Sequence, residues 1–269
     1  MTQFVSTLAA FAAALPDGSR VAIPPDYSGV ALAATRALVA RRARGLQLVA
    51  VPQAGFPAGI LIGAGCVESI ETAGINLGEF GLAPRYTEAI ERGEVRIVDA
   101  TCPAVHAGLQ AAEKGIPFMP LRGILGSDLL RVRPDWRVID NPYGERDPIV
   151  LIPAIRPDIA LFHARWADRE GNVWIGVRRE LMTMAHAATR TLVTVEAVRD
   201  ERLLDDPALA AGTIPSLYVD SVCVAPGGMR PLPFAEDRGD EAALVGYARA
   251  AQSREGFAAW LAGWLEEAP

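Results

Sequence analysis

The stretch that most constrains this chain is Arg156 to Gly176, RPDIALFHARWADREGNVWIG. Pro157 and Asp158 open it, and Ile159-Ala160-Leu161-Phe162 follows as a short apolar run. Such a run, opened by a proline, fits a central strand better than a helix. It stops at His163-Ala164-Arg165-Trp166. Ala167-Asp168-Arg169-Glu170-Gly171-Asn172 is then a turn: Asp168 can accept from backbone amides two residues on, and Gly171 and Asn172 tolerate positive φ. Val173-Trp174-Ile175 restarts an extended segment. A buried strand thus ends in polar residues, and in a parallel sheet ligands sit beyond strand carboxyl ends.

The rest of the chain alternates strands and helices. Thr2 to Leu15 reads as an amphipathic helix, stopped by Pro16-Asp17-Gly18. Arg20–Ile23 is a strand, Val30–Ala43 a helix and Leu46–Val51 a strand, a right-handed parallel crossover unit. Pro52–Gly59 reads as a loop and Ile60-Leu61-Ile62 as an apolar stub. Gly63-Ala64-Gly65 fits a tight turn better than an anion cradle before a helix, which makes Glu68 and Glu71 helix-surface charges. Arg85–Arg92 and Cys102–Lys114 are helices closed by Gly93 and Gly115. Arg131–Asp147 reads as an irregular surface excursion, and Ile149–Ile152, Arg190–Val195 and Val95–Val98 as strands. Glu180–Ala188 is a helix, and Glu241–Ala268 one interrupted helix or two. Phe257, Trp260, Leu261 and Trp264 share a helix face suited to a core or an interface. This order predicts an α/β fold: an open, mostly parallel, Rossmann-like sheet with helices on both faces, as one domain over residues 1–269.

Composition excludes several functions. A net charge of −6 without a sizeable basic cluster disfavours nucleic-acid binding. Three scattered cysteines and three scattered histidines make neither a disulfide framework nor a metal signature, and Cys66 and Cys102 read as buried thiols. No run approaches the ~20 apolar residues of a membrane span, and the N-terminus lacks the basic start of a signal peptide. A soluble, cytoplasmic protein is the expectation. No Gly-x-Ser-x-Gly elbow supports serine-hydrolase chemistry.

Asp158, His163, Ala164, Ala167, Asp168, Gly171 and Asn172, in the pattern D-I-A-L-F-H-A…A-D-x-x-G-N, resemble the family I coenzyme A-transferases, most nearly the A (alpha) subunit of glutaconate-type enzymes. Pro117-Phe118-Met119-Pro120-Leu121-Arg122 with Gly126-Ser127-Asp128-Leu129 is a second match, and Pro215 to Gly228 a third. The resemblance covers roughly Asp17 to Pro233. It departs in the first loop, where prolines stand for glycines and only Gly29 remains, and at Met229-Arg230-Pro231, where the family's histidine is missing.

The resemblance implies the chemistry. A carboxylate nucleophile attacks an acyl-CoA, forms an anhydride and then carries CoA as a glutamyl thioester. No Glu-Asn-Gly stretch occurs in this chain. The nucleophile is therefore expected on a partner B subunit, with no catalytic residue in this chain. The partners implied are that B subunit, singly or in an A2B2 assembly, and acyl-CoA. CoA is a substrate and no permanent cofactor is expected. Asn76–Pro84 resembles the glycine-rich loop near the acyl pocket. Gly78, Glu79 and Phe80, with Arg122, Gly123 and Ser127, are therefore the expected substrate-binding residues, and Arg122 could clamp a carboxylate. His163 suits a turn-holding role better than proton transfer, and Asp168 and Asn172 suit bonds to turn amides. The acyl group expected is a dicarboxylate or a 3-oxo acid. Acyl-CoA hydrolysis, of a thioester or a ring C–C bond, is the alternative enzyme reading. The alternative outside enzymology is a non-catalytic subunit that binds acyl-CoA.

Overall fold

A computed structural model describes residues 1–51 and 54–266. The first half runs β1 (Gln3–Val5), α1 (Leu8–Ala13), β2 (Arg20–Ile23), α2 (Leu32–Ala40), β3 (Leu46–Ala50), α3 (Phe56–Gly63), β4 (Val67–Thr72), α4 (Pro84–Glu91), β5 (Arg96–Asp99) and α5 (Cys102–Glu113). A middle section follows: β6 (Phe118–Leu121), α6 (Leu129–Val132), β7 (Arg137–Asp140) and β8 (Pro148–Pro153). The chain continues through β9 (Ile159–Asp168), β10 (Val173–Trp174), α7 (Arg179–Ala187), β11 (Arg190–Arg199), α8 (Pro207–Ala210), β12 (Thr213–Ile214) and β13 (Ser221–Val224). It closes with α9 (Glu241–Ala250) and α10 (Arg254–Glu266).

The main sheet has the order β1-β13-β11-β9-β2-β3-β4-β5, with every neighbouring pair parallel. All these strands therefore end at one edge. One face packs Leu48, Ile70, Ile159, Leu161 and Leu192 against α1–α4 and the C-terminal helices. The other packs Val49, Ala160, Phe162 and Val193 against α5 and α7. Helices on both faces are what a parallel sheet requires, because each crossover must cover a face. The expected open parallel sheet is the observed one. A second, antiparallel sheet, β6-β8-β7, packs on α5 through Ala104, Ala107, Trp136, Val150 and Ile152.

The opening strand is longer than its apolar run. β9 continues past His163 to Asp168 because β11 pairs with it from Arg190↔Ile159 to Arg199↔Asp168. The turn beyond forms as expected: Asp168 Oδ1 accepts from the Glu170 and Asn172 amides at 3.0 Å, and Asn172 Oδ1 accepts from the Ser216 amide at 2.8 Å.

Four expectations about the elements are corrected. Thr2 to Leu15 is not one helix: Gln3–Val5 pairs with β13 as an edge strand, and Thr7 caps a helix of only Leu8–Ala13. The expected loop and stub over Pro52–Ile62 hold a helix, α3, whose residues Phe56 to Ile62 are all buried. Buried all round, it shows no amphipathic period, and its proline sits in the tolerated first turn. The expectation for Pro52 and Gln53 lies outside the described residues. Gly63-Ala64-Gly65 is a tight turn that ends α3, but it leads into a strand, so Glu68 and Glu71 stand on β4. Residues 131–147 carry β7 and part of α6 rather than an irregular excursion.

The Gly93 and Gly115 helix stops hold, at φ +66° and +67°. Cys66 is buried as expected, whereas Cys102 is exposed at the start of α5. α9 and α10 bring Tyr247, Phe257 and Trp264 into the core, where Trp260 stacks on Trp264 at 5.2 Å. The expected end of this helical segment, Ala268, lies outside the described residues. Among the described residues no helix is long and apolar enough to cross a membrane.

Candidate active site

A pocket of about 300 Å³ opens at the carboxyl edge of the sheet, between the loops after β2, β10 and β13. Ser28, His163, Arg165, Trp174, Arg178 and Phe234 are among its lining residues. His163 is fully buried in its wall.

Two neighbouring strands and one loop build the centre. Thr194 lies opposite His163 in the β9–β11 register, and Glu196 follows two residues on, so both share the histidine's face. His163 Nδ1 meets Thr194 Oγ1 at 2.9 Å and Nε2 meets Glu196 Oε1 at 2.7 Å. The other Glu196 oxygen accepts the Gly227 amide at 2.8 Å. Burial raises the Glu196 pKa, but the bonds from His163 and Gly227 outweigh it and hold the carboxyl below its usual range. An ionised carboxylate only accepts, so His163 Nε2 carries a proton, and in the neutral ring Nδ1 then accepts from the Thr194 hydroxyl. The Phe234 ring packs edge-on against the imidazole at 4.9 Å.

Close backbone approach completes the wall. The His163 amide donates to Gly29 O at 2.6 Å, and a Cβ on Gly29 would stand 2.2 Å from the His163 carbonyl oxygen. The single glycine left in the first loop is thus the one the strand contact requires. A Cβ on Gly228 would meet the imidazole at 2.8 Å. Ser28, buried, donates to Glu180 Oε1 in the first turn of α7.

The rim is cationic and aromatic. The Arg178 guanidinium lies over Tyr27 at 5.3 Å, and Arg165 over Trp166 at 4.3 Å while pairing with Glu236 at 2.6 Å. Such a cleft suits a small ligand with an anionic end, with arginines at its rim and Trp174 and Phe234 in its wall. Glu196 and Glu180 stand behind the lining residues His163 and Ser28, and both already hold hydrogen bonds. Among the described residues no group of three or more His, Cys, Asp or Glu is arranged to hold a metal.

None of the six expected substrate-binding residues lines this pocket. Gly78, Glu79 and Phe80 form a short 3-10 turn beyond the carboxyl end of β4. Gly78 and Glu79 are exposed, and Phe80 packs on Phe56 of α3 at 6.2 Å. Arg122, Gly123 and Ser127 lie on the loop after β6, beside the second sheet. Arg122 is exposed and bonds Asp147 through two arms, at 2.9 and 2.5 Å. Ser127 Oγ donates to Ile124 O at 2.7 Å, and Gly123 is exposed. The two triplets occupy separate loops. His163 bonds Thr194 and Glu196 on β11, and Glu196 is a partner that sequence reasoning misses. The available signal is Thr194-x-Glu196 at strand spacing beside a strand carrying a histidine.

The family profile described as Coenzyme A transferase matches residues 5–225. The A subunit of the 3-oxoadipate CoA-transferase of Pseudomonas knackmussii is 33% identical over 258 residues, 91% of this chain and 87% of that one. The A subunit of the glutaconate CoA-transferase of Acidaminococcus fermentans is 30% identical over 225 residues, 77% of this chain and 70% of its own length. The crystal structure of glutaconate coenzyme A-transferase from the same organism superposes with a TM-score of 0.87 at 26% identity, covering 98% of this chain and 89% of that one. With the profile spanning most of the chain and the fold superposing nearly end to end, this protein belongs to the coenzyme A transferase family.

Proposed function

We propose that this chain is the A subunit of a two-subunit CoA-transferase. It moves coenzyme A between an acyl-CoA and a carboxylic acid, with a dicarboxylate or 3-oxo acid as the acyl partner. The carrying observation is the 33% identity, over 91% of the chain, to the A subunit of a 3-oxoadipate CoA-transferase. The engaged state of Glu196 and Glu180 supports placing the nucleophilic glutamate on a second subunit.

In this reading the partner's glutamate attacks the thioester carbonyl, giving a mixed anhydride and CoA thiolate. The thiolate then attacks the glutamyl carbonyl, releasing the first acid and leaving glutamyl-CoA. The acceptor acid reverses both steps. This chain's part is to hold the acyl group. Arg165 and Arg178 attract its carboxylate, and Trp174 and Phe234 exclude water. The ionised Glu196 fixes His163, in the cleft wall, and the Gly227 amide behind it. Gly78, Glu79, Phe80, Arg122, Gly123 and Ser127 are assigned to cleft surface completed by the second subunit.

The test is co-expression with a candidate B subunit, followed by assay of CoA transfer from succinyl-CoA to 3-oxoadipate and glutaconate. The complex should transfer and the isolated chain should not. Transfer by the isolated chain refutes the two-subunit reading, and acid release without an acceptor identifies a hydrolase. Arg122→Ala and Glu79→Gln should each lower kcat/KM by about 10- to 150-fold, the worth of a charge-assisted hydrogen bond. If both stay within about threefold of wild type, those loops do not touch substrate.

A further inference from the structure

A parallel sheet covered on both faces is normally apolar inside. Here one row across four strands is polar: Arg20 on β2 lies opposite Gln47 on β3, Gln47 opposite Ser69 on β4, and Ser69 opposite Arg96 on β5. Residues in register point to the same face, so the four side chains stand in a line. They line a cavity of about 410 Å³ between the sheet and the segment after α6, roofed by Arg133, Asp135 and Pro153 to Ile155. Ala22 and Ala160 share this face of the sheet, and His163, three residues beyond Ala160, points to the other. The cavity is separate from the His163 pocket.

The charges around it do not close. Glu71 is shared by Arg20 at 2.6 Å and Arg133 at 3.0 Å, and Asp135 is held by Arg133 through two bonds of 2.9 and 2.8 Å. Two arginines thus match two carboxylates. Arg96 is left over, with no ion pair among the described residues. Ser69 is 4% exposed, yet its hydroxyl has no hydrogen-bond partner among the described residues, and neither does the side-chain amide of Gln47. The Ser69 hydroxyl opens onto the cavity with its bonding capacity free, and the guanidinium fork is shaped for oxyanions. Water can satisfy Ser69 and Gln47, and the exposed Arg96 leaves its fork open to an anion that displaces that water. The volume accommodates a polyatomic group.

We propose that this cavity is an oxyanion site that takes a phosphoryl or carboxylate group on Arg96, Ser69, Gln47 and the free arm of Arg20. It does not rest on the transferase reading, and its test requires no transfer activity.

Inorganic phosphate and malonate are each titrated into the intact chain by calorimetry, at fixed ionic strength set with chloride. Saturable binding is expected for at least one. Arg96→Gln should weaken it by at least about tenfold and Ser69→Ala by about three- to tenfold, the worth of charge-assisted and ordinary hydrogen bonds. Arg131→Gln, an exposed side chain of α6 paired among the described residues with Asp128, should bind as wild type. Arg96 is exposed and Ser69→Ala is nearly isosteric, so both variants should fold. Tighter binding of phosphate than of malonate would mark the ligand as a phosphate compound, and the reverse as a carboxylate. The absence of saturable binding for both anions, or equal affinity in wild type and Arg96→Gln, overturns the site.

Discussion

Replacing Glu196 by glutamine should move a proton within His163. In the wild type, Glu196 accepts two N–H groups, from His163 Nε2 at 2.7 Å and from Gly227 at 2.8 Å. Glutamine keeps one oxygen. The Gly227 amide can only donate, so it retains that oxygen, and the new NH2 group faces the imidazole. His163 must then accept at Nε2, carry its proton on Nδ1 and donate to Thr194 Oγ1, 2.9 Å away. Two charge-assisted bonds become neutral ones at about 1 kcal/mol each, so the variant should lose about 2 kcal/mol. At about 2–4 °C per kcal/mol for a chain of this class, Tm should fall by roughly 4–8 °C. Nitrogen-15 spectra of the imidazole read the tautomer directly. Thr194→Val removes the acceptor that the flipped ring needs, so the double variant should be less stable than the sum of the singles. The acid limb should change too. The Glu196 pKa is lowered by folding, so its contribution is full above the unfolded value of about 4.5 and is lost as pH falls through the folded one. Glutamine abolishes that loss. An unchanged tautomer with Tm within about 1 °C of wild type would refute the ionised, acceptor-only Glu196.

Three further variants test a buried carboxyl and the glycine positions. Burial pushes the Asp26 carboxyl up to about 7 against the opposing Phe56 and Gly55 amides, so the fold favours its protonated form. Stability should therefore decline as pH rises from about 4 to about 7, and Asp26→Asn should relieve at most about 4 kcal/mol at pH 8 while changing little at pH 4; a flat profile by chemical denaturation would contradict this. Gly29→Ala should cost more than about 3 kcal/mol, because φ is +94° and the new Cβ meets the His163 carbonyl at 2.2 Å, whereas Gly65→Ala, at φ +72° with open space around it, should cost about 1 kcal/mol. Equal losses for the two glycines would disprove the close-approach argument.

Much of the architecture is legible because local signals agree with it. Pro157 and the apolar run to Phe162 mark β9, and Gly93 and Gly115 close helices at positive φ. The misread elements are those whose local pattern is overridden by burial or pairing. FPAGILIG lacks a polar face because its helix is enclosed, and Gln3–Val5 is a strand only because β13 lies beside it. The site is harder to read. His163 stands out by its position after an apolar run, but its meaning depends on Thr194 and Glu196, more than 30 residues away and joined to it only by strand register. The polar row at Arg20, Gln47, Ser69 and Arg96 is invisible for the same reason: each residue is unremarkable in its own strand.

The placement of β1 bears on how the chain is made. Its residues sit beside β13, with Thr2 bonded to Val219 across 217 positions, and Tyr247 of α9 packs against Phe56 of α3 at 5.2 Å. A ribosome adds about 5–20 residues per second, so the first strand waits on the order of ten seconds or more for its neighbour. Through that interval the enclosed helix α3 has no cover from α9, and its aliphatic surface faces solvent or a holdase. Contacts this distant in sequence also slow closure once synthesis ends. Chaperone demand, rather than final stability, should therefore govern the yield of this protein in a foreign host.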